Sequence, residues 1–121
     1  VQVGNVSGFL VNEYTASITY LPSEITMKDV MDSEEIIRTL IPTGPFYVLA
    51  RMPNVRKTAS DTRRHEPLPR TRAIAVIYAN PVARMLGNVF LRLKGSTLPT
   101  RLFAGEKTAL QWFTEIGPPK D

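Results

Sequence analysis

A short apolar stretch that leads directly into a helix start dominates the second half of the chain. Residues 73–79 carry no charged side chain, and a run this short favours a strand buried on both faces of a parallel sheet. Asn80 then offers an N-cap oxygen, and Pro81 suits the first helical position because no amide proton is needed there. The pattern predicts a strand, a tight turn and a helix to about residue 94, which is half of a βαβ unit.

Alternation of apolar and polar residues predicts a hairpin near the start of the chain. Its strands are residues 9–11 and 16–20, and the second alternates apolar with Ser and Thr residues. This alternation indicates one solvent-facing side and a position at the edge of a sheet. Residues 1–7 are predicted to be a frayed end, and the missing initiator Met indicates trimming or an upstream segment.

Further elements follow from helix periodicity and from short apolar runs. Thr26 and Asp29 have the spacing of a capping box, which predicts a helix from Met27. The core face of this helix is predicted to contain Val30, Ile37, Leu40 and Ile41, with Glu34 close to the same face. The remaining predicted elements are strands over residues 46–52 and 100–103 and helices over residues 58–66 and 106–116.

This order of elements defines the expected fold class. An N-terminal hairpin followed by alternating helices and strands predicts a single α/β domain with an open mixed sheet of about five strands and helices on its faces. Right-handed crossovers make the last three strands parallel neighbours or near neighbours.

Composition narrows the chemistry and the compartment. The chain has 121 residues, of which 43% are apolar, and it has one His and no Cys. Disulfides, thiol catalysis and thiolate metal sites are therefore excluded, and neither a cofactor nor a metal site is predicted. No run approaches the roughly 18 apolar residues of a membrane span, and the start lacks the features of a signal peptide. A cytoplasmic location is the expectation.

Charge is distributed unevenly along the chain. Within the formal net charge of +4, residues 51–72 contribute +5 and residues 13–35 contribute −5. The basic region could attract an acidic partner. Weak binding of nucleic acid through it is one alternative, but the region lacks interleaved aromatic residues for base stacking.

The C-terminal half resembles a known group of proteins. The sequence AIAVIYANPVARMLGNVFLRL at residues 73–93, followed by PTRLFAGEKTALQWF at residues 99–113, is similar to small bacterial proteins of the SpoIIAA-like group in the STAS/SEC14-type superfamily. Members of this group end in a TRLF-type strand, a short link and a helix with an AL-x-W-F pattern. The similarity extends over residues 9–116 and implies a SpoIIAA-like fold, whereas most such relatives have no assigned activity.

The resemblance also implies a candidate modification site. Domains of the anti-sigma-factor-antagonist type are phosphorylated on a Ser at the start of the helix after the central strand. Ser60 and Thr58 are the hydroxyl residues near that place, although the Asp before and the Gly after the family's Ser are absent. Capping a helix start is the alternative role for both residues.

No catalytic constellation is predicted. Ser60, Asp61 and His65 have the residue types of a hydrolytic triad, but a triad gathers its members from separate segments. On one helix, Asp61 and His65 would instead form a local surface pair.

The helix predicted over residues 81–94 carries two candidate surfaces. Ala83, Gly87 and Leu91 form a stripe turned away from the sheet, with Arg84 beside it, and this stripe predicts either packing within the domain or a two-fold homodimer interface. Bulky residues flank the core face of this helix and of the last helix. They predict an apolar pocket lined by Met85, Phe90, Trp112 and Phe113.

The expected function is therefore non-enzymatic. The first hypothesis is a regulatory or protein-interaction domain whose protein partner the sequence does not identify. The alternative, from the SEC14 side of the resemblance, is a small carrier of a lipid or other apolar ligand.

Overall fold

A computed structural model describes residues 1–78 and 98–120 of the chain. Eight strands and two α-helices are seen in this part, together with one short 3-10 helix. They are β1 (Gln2–Val3), β2 (Val6–Asn12), β3 (Thr15–Tyr20), β4 (Glu24–Ile25), α1 (Met27–Leu40), β5 (Phe46–Met52), β6 (Lys57–Thr58), the 3-10 helix (Ser60–Arg64), β7 (Thr71–Tyr78), β8 (Thr100–Phe103) and α2 (Glu106–Ile116).

The main sheet has six strands in the order β1-β2-β3-β5-β7-β8. The first three strands are antiparallel neighbours, and the pairs β3–β5, β5–β7 and β7–β8 are parallel. The predicted α/β class with a mixed sheet is thus confirmed, including the parallel arrangement of the last three strands. The sheet has six strands because Gln2 and Val3, predicted to be frayed, pair with Ser7 and Val6.

The two faces of the sheet carry separate apolar clusters because successive side chains of a strand point to opposite sides. In β5, Phe46, Val48 and Ala50 face α1, whereas Tyr47 and Leu49 face α2. The α1 cluster consists of Val6, Ala16, Ile18, Ile36, Ile37, Ile41, Phe46, Val48 and Ala50. The α2 cluster consists of Tyr47, Leu49, Ala73, Ala75, Ala109, Trp112 and Phe113.

Local sequence signals mark the start of α1 and the end of α2. The predicted capping box is confirmed: the Thr26 backbone amide donates to Asp29 Oδ2 at 2.8 Å, and the Asp29 amide donates to Thr26 Oγ1 at 3.4 Å. The bounds predicted for α2 are confirmed as well. Gly117 ends α2 with a φ of 77°, a conformation that glycine adopts without the steric cost that a Cβ imposes.

Two predicted segments differ from the structure or lie outside it. The helix predicted over residues 58–66 is only a 3-10 turn, Ser60–Arg64, because β6 occupies its start and the chain is extended again at His65. The helix predicted over residues 81–94 lies outside the described residues. No helix within the described ranges is long and apolar enough to cross a membrane.

The strand predicted from residues 73–79 is β7, and its two sides are covered to different extents. Ala73 and Ala75 are fully buried against the α2 cluster. Ile74 and Val76, on the side of α1, are only partly buried. Among the described residues, β7 is therefore less completely buried on its α1 side than on its α2 side.

Candidate ligand cavity

A cavity of about 180 Å³ lies on the α1 side of the sheet. The floor comes from alternate residues of parallel strands: Val48, Ala50 and Met52 of β5, Ile74, Val76 and Tyr78 of β7, and Thr100 and Leu102 of β8. One side is formed by Val30, Ser33, Glu34 and Ile37 of α1. The other side is formed by Val55, Thr58, Thr62, His65, Pro67 and Leu68 of the segment between β5 and β7, and by Thr71 at the start of β7. Tyr20 and Ile25 complete the walls known from the described residues.

The segment over residues 53–70 is held in place by backbone hydrogen bonds, and these position its part of the wall. The amides of Arg56 and Lys57 donate to the Ser23 carbonyl at 2.7 and 3.1 Å, and the Ala59 amide donates to the Ile25 carbonyl at 2.8 Å. β6 also pairs with β4 in a small parallel sheet. The wall opposite α1 is thus tied to the chain just before α1.

Arg70 anchors the C-terminal end of the segment over residues 53–70. Its guanidinium donates to the carbonyl oxygens of Gly44 at 2.7 Å and Ile41 at 3.0 Å, and it lies 5.3 Å from the centre of the Phe46 ring. These contacts connect the residue just before β7 with the C-terminal end of α1.

Five of the polar side chains that line this mainly apolar cavity come from β3, α1 and the chain between β6 and β7. We call Tyr20, Ser33, Glu34, Thr62 and His65 the polar wall. His65 Nε2 lies 2.8 Å from Glu34 Oε2, and Glu34 is only 7% exposed. The pair joins α1 to the residue that follows the 3-10 helix. A buried carboxylate needs such a partner, because removing it from water without one is costly.

Two hydroxyl groups of this wall donate their protons to backbone carbonyl oxygens. Ser33 Oγ donates to the Val30 carbonyl oxygen and Thr62 Oγ1 to that of Ala59, both at 2.6 Å. These groups therefore present lone pairs, and the polar wall is rich in acceptors.

Burial affects the titration of Tyr20. Loss of solvent raises the pKa of its hydroxyl, and the hydrogen bond with Ser33 opposes this rise. The negative charges of Glu34 and Asp29 raise the pKa further, because they disfavour a second anion nearby. Tyr20 thus stays protonated at pH values where an exposed tyrosine ionises.

The pocket residues predicted from the sequence occupy a different place where the structure describes them. Trp112 and Phe113 are buried on the α2 side, where the Phe113 ring is stacked on Tyr47 with centroids 4.8 Å apart and on Trp112 at 5.3 Å. They belong to a packed core and do not line the cavity next to α1. Met85 and Phe90, predicted to share a pocket with them, lie outside the described residues, as does the predicted interface of Ala83, Arg84, Gly87 and Leu91.

The other candidate residues are separated by the structure. Ser60, the modification candidate, is exposed at the first position of the 3-10 helix. Thr58 is in β6 and lines the cavity. His65 belongs to the polar wall through Glu34, which is far from it in sequence. Within the described ranges, no group of three or more acidic or His side chains could hold a metal ion.

Several arginines of the basic region have structural partners. Arg51 Nε donates to Ser17 Oγ at 3.1 Å, and the Arg51 guanidinium pairs with Glu106 at 2.7 Å. Arg72 donates to the carbonyl oxygens of Lys120 at 2.7 Å and Pro69 at 2.8 Å. Together with Arg70, these residues hold elements of the fold together, so part of the positive charge counted in the sequence is already engaged within the chain.

Sequence reasoning placed Glu34 near the core face of α1 without giving it a role. A charged residue among apolar helix positions signals a buried polar site. The partner of Glu34 was not identifiable, because His65 is 31 residues away and reaches α1 only through the path of the β5–β7 segment. Tyr20 and Ser33 carry no comparable signal in the sequence.

The described residues form a small α/β domain with a cavity of about 180 Å³ between the mixed sheet and α1. The chain belongs to the family described as Domain of unknown function (DUF7793), whose model matches residues 17–117. This range contains every described residue that lines the cavity. No curated protein and no solved structure matches the chain.

Proposed function

We propose that this chain is a non-enzymatic binding domain of the SpoIIAA-like kind, and that its cavity takes up a small, mainly apolar molecule. The cavity against α1 carries the proposal, because apolar side chains from three parallel strands line it together with a smaller number of polar side chains. Binding sites for small molecules have this composition, with apolar walls and a few convergent polar groups that fix orientation.

Size restricts the class of ligand. A cavity of about 150 Å³ lined by apolar side chains holds benzene, and the present cavity measures about 180 Å³. Sites for drug-sized molecules are larger, about 300–1,000 Å³. The proposal is therefore a compact ring or branched chain, and a long-chain lipid is disfavoured.

The arrangement of polar groups supports binding over catalysis. Ser60 is exposed at the surface, whereas His65 is paired with Glu34 beside the cavity. Hydrolysis by a serine nucleophile requires the base within hydrogen-bonding reach of the hydroxyl. The polar wall can therefore form hydrogen bonds with a bound molecule. The contact between Glu34 and His65 also stabilises the fold, which accounts for these two polar residues in the core.

A matched pair of substitutions tests the cavity directly. Ala50 faces the cavity from β5, whereas Ala75 faces the packed α2 cluster from the neighbouring β7. Ala50→Leu is expected to fill the cavity with little loss of stability. Ala75→Leu is expected to cost about 1–3 kcal/mol, because extra carbons in a filled core force its neighbours apart.

Binding is measured on the same proteins with toluene as the probe, by titration followed in amide NMR spectra. Toluene should shift amide resonances of β5, β7 and α1 in the wild-type protein, and these shifts should be absent in Ala50→Leu. Native mass spectrometry of gently purified protein should show a bound small molecule that Ala50→Leu lacks. Absence of toluene binding to the wild type, or equal binding by Ala50→Leu, would overturn the proposal.

A further inference from the structure

We infer that the ligand carries an uncharged hydrogen-bond donor, a hydroxyl group on a ring or branched chain, and that the Glu34 carboxylate accepts a hydrogen bond from it. This inference rests on the proposed function and assigns the chemistry of the same cavity. It follows from the directions of the hydrogen bonds in the polar wall.

The wall offers acceptors to a ligand. The hydroxyl protons of Ser33 and Thr62 go to the backbone carbonyl oxygens of Val30 and Ala59. A carboxylate has about four acceptor positions on its two oxygens, and His65 takes one of them on Glu34. A donor on the ligand thus finds a strong, charge-assisted acceptor in a cavity that is mainly apolar.

Charge on the ligand is selected against in both directions. A carboxylate ligand would place a second anion beside Glu34, and the hydroxyl protons of Ser33 and Thr62 are already donated to backbone carbonyl oxygens. An ammonium group would be buried among the apolar residues of β5 and β7, with His65 competing for the same carboxylate. A hydroxyl group satisfies the acceptor without carrying a charge into the cavity.

Phenol and toluene provide a matched pair of probes, because they differ only in a hydroxyl against a methyl group. In a cavity without an acceptor, phenol binds more weakly than toluene, since a buried hydroxyl without a hydrogen-bond partner loses its hydration. Next to Glu34, phenol is expected to bind at least as tightly as toluene. Benzoate, which is anionic, is expected not to bind.

A conservative substitution identifies the acceptor. Glu34→Gln keeps the shape of the side chain and removes its charge, so phenol affinity should fall by about tenfold while toluene affinity stays unchanged. Unchanged toluene binding also shows that the variant is folded with its cavity intact. If Glu34→Gln does not fold, fluorobenzene, which is close in size to phenol but has no proton to donate, is compared with phenol on the wild-type protein. Phenol should bind more tightly, and equal or tighter binding of fluorobenzene would overturn the inference.

The outcomes separate this inference from the proposed function. A much higher affinity for toluene than for phenol in the wild type would overturn the hydroxyl inference and leave an apolar ligand site. An equal loss of affinity for both probes in Glu34→Gln would do the same. Binding of neither probe to the wild type would overturn both.

Discussion

Gly8 of β2 lies against Ile36 of α1 with no room for a side chain between them. A Cβ atom at position 8 would lie 2.7 Å from Ile36 Cγ2 and 2.8 Å from Ile18 Cδ1. The absence of a side chain at this position allows α1 to pack closely on the N-terminal strands and fixes the height of one end of the helix above the sheet.

Gly8→Ala is therefore expected to lower the free energy of unfolding by about 1–3 kcal/mol, because the added methyl group overlaps two buried isoleucines. Gly105→Ser is the control, since a Cβ there meets nothing within 4 Å, and its effect should stay within about 0.5 kcal/mol. Urea unfolding followed by circular dichroism measures both. Equal effects of the two substitutions would show that β2 and α1 separate easily.

Loss of the partner of Glu34 is expected to destabilise the fold. His65→Ala leaves a carboxylate that is 7% exposed without the hydrogen bond that His65 Nε2 provides, and the expected cost is about 1–3 kcal/mol. Glu66→Ala removes the adjacent, exposed side chain and should change stability by less than about 0.5 kcal/mol. Urea midpoints at neutral pH decide the comparison, and a His65→Ala protein as stable as Glu66→Ala would argue against a structural role for the pair.

The raised pKa of Tyr20 predicts a loss of stability in alkali. The unfolded chain releases this proton near the ordinary value of 10.0, whereas the folded chain holds it to higher pH. Above that value the unfolded state binds fewer protons than the folded state, so stability falls as pH rises until the folded pKa is passed. Tyr20→Phe should show a shallower decline between about pH 9 and 11. Parallel declines in the two proteins, measured by urea unfolding across this range, would contradict the prediction.

Arg70 is expected to resist replacement by lysine. An ammonium group cannot reproduce the fork that reaches the carbonyl oxygens of Gly44 and Ile41 while lying near the Phe46 ring. Arg70→Lys should cost about 1–2 kcal/mol, whereas Arg56→Lys, at an exposed position, should be neutral. Thermal unfolding of the two variants tests this, and a neutral Arg70→Lys would mean that charge alone suffices at this position.

Self-association remains a prediction from the sequence, because its surface lies outside the described residues. Leu91 is placed almost opposite the core face of the helix predicted over residues 81–94, with Ala83 and Gly87 beside it. Leu91→Glu is expected to convert a dimer into a folded monomer, since a charge would enter the centre of a two-fold contact. Sedimentation velocity at micromolar concentration, with circular dichroism as the control for folding, gives the answer. A monomeric wild type, or an unfolded variant, would place Leu91 inside its own domain.

Much of the fold was predictable because its signals are local. The apolar run of β5 and the capping box of Thr26 and Asp29 each lie within a few residues. The pattern of α2, with Ala109, Trp112 and Phe113 on one face, is equally compact. Such segments dictate their own structure, and the order of segments then selects the α/β class.

The candidate site was much less predictable because it depends on distant segments. Glu34 and His65 meet only when the β5–β7 segment crosses the same face of the sheet as α1. The aromatic residues expected to line a pocket, Trp112 and Phe113, instead fill the core on the opposite face. Hydrophobic periodicity identifies the buried side of a helix, but it does not distinguish a filled core from one that retains a cavity.

The parallel pairing of β3, β5, β7 and β8 has a consequence for how the chain folds. Parallel neighbours cannot be joined by a tight turn, so each pair forms only after a long intervening segment has been brought back across the sheet. The hairpin of β2 and β3 requires no such search. Since the closure of long loops costs entropy before any contact compensates for it, we expect the hairpin and α1 to associate early and the register of β5 against β7 to set the folding rate.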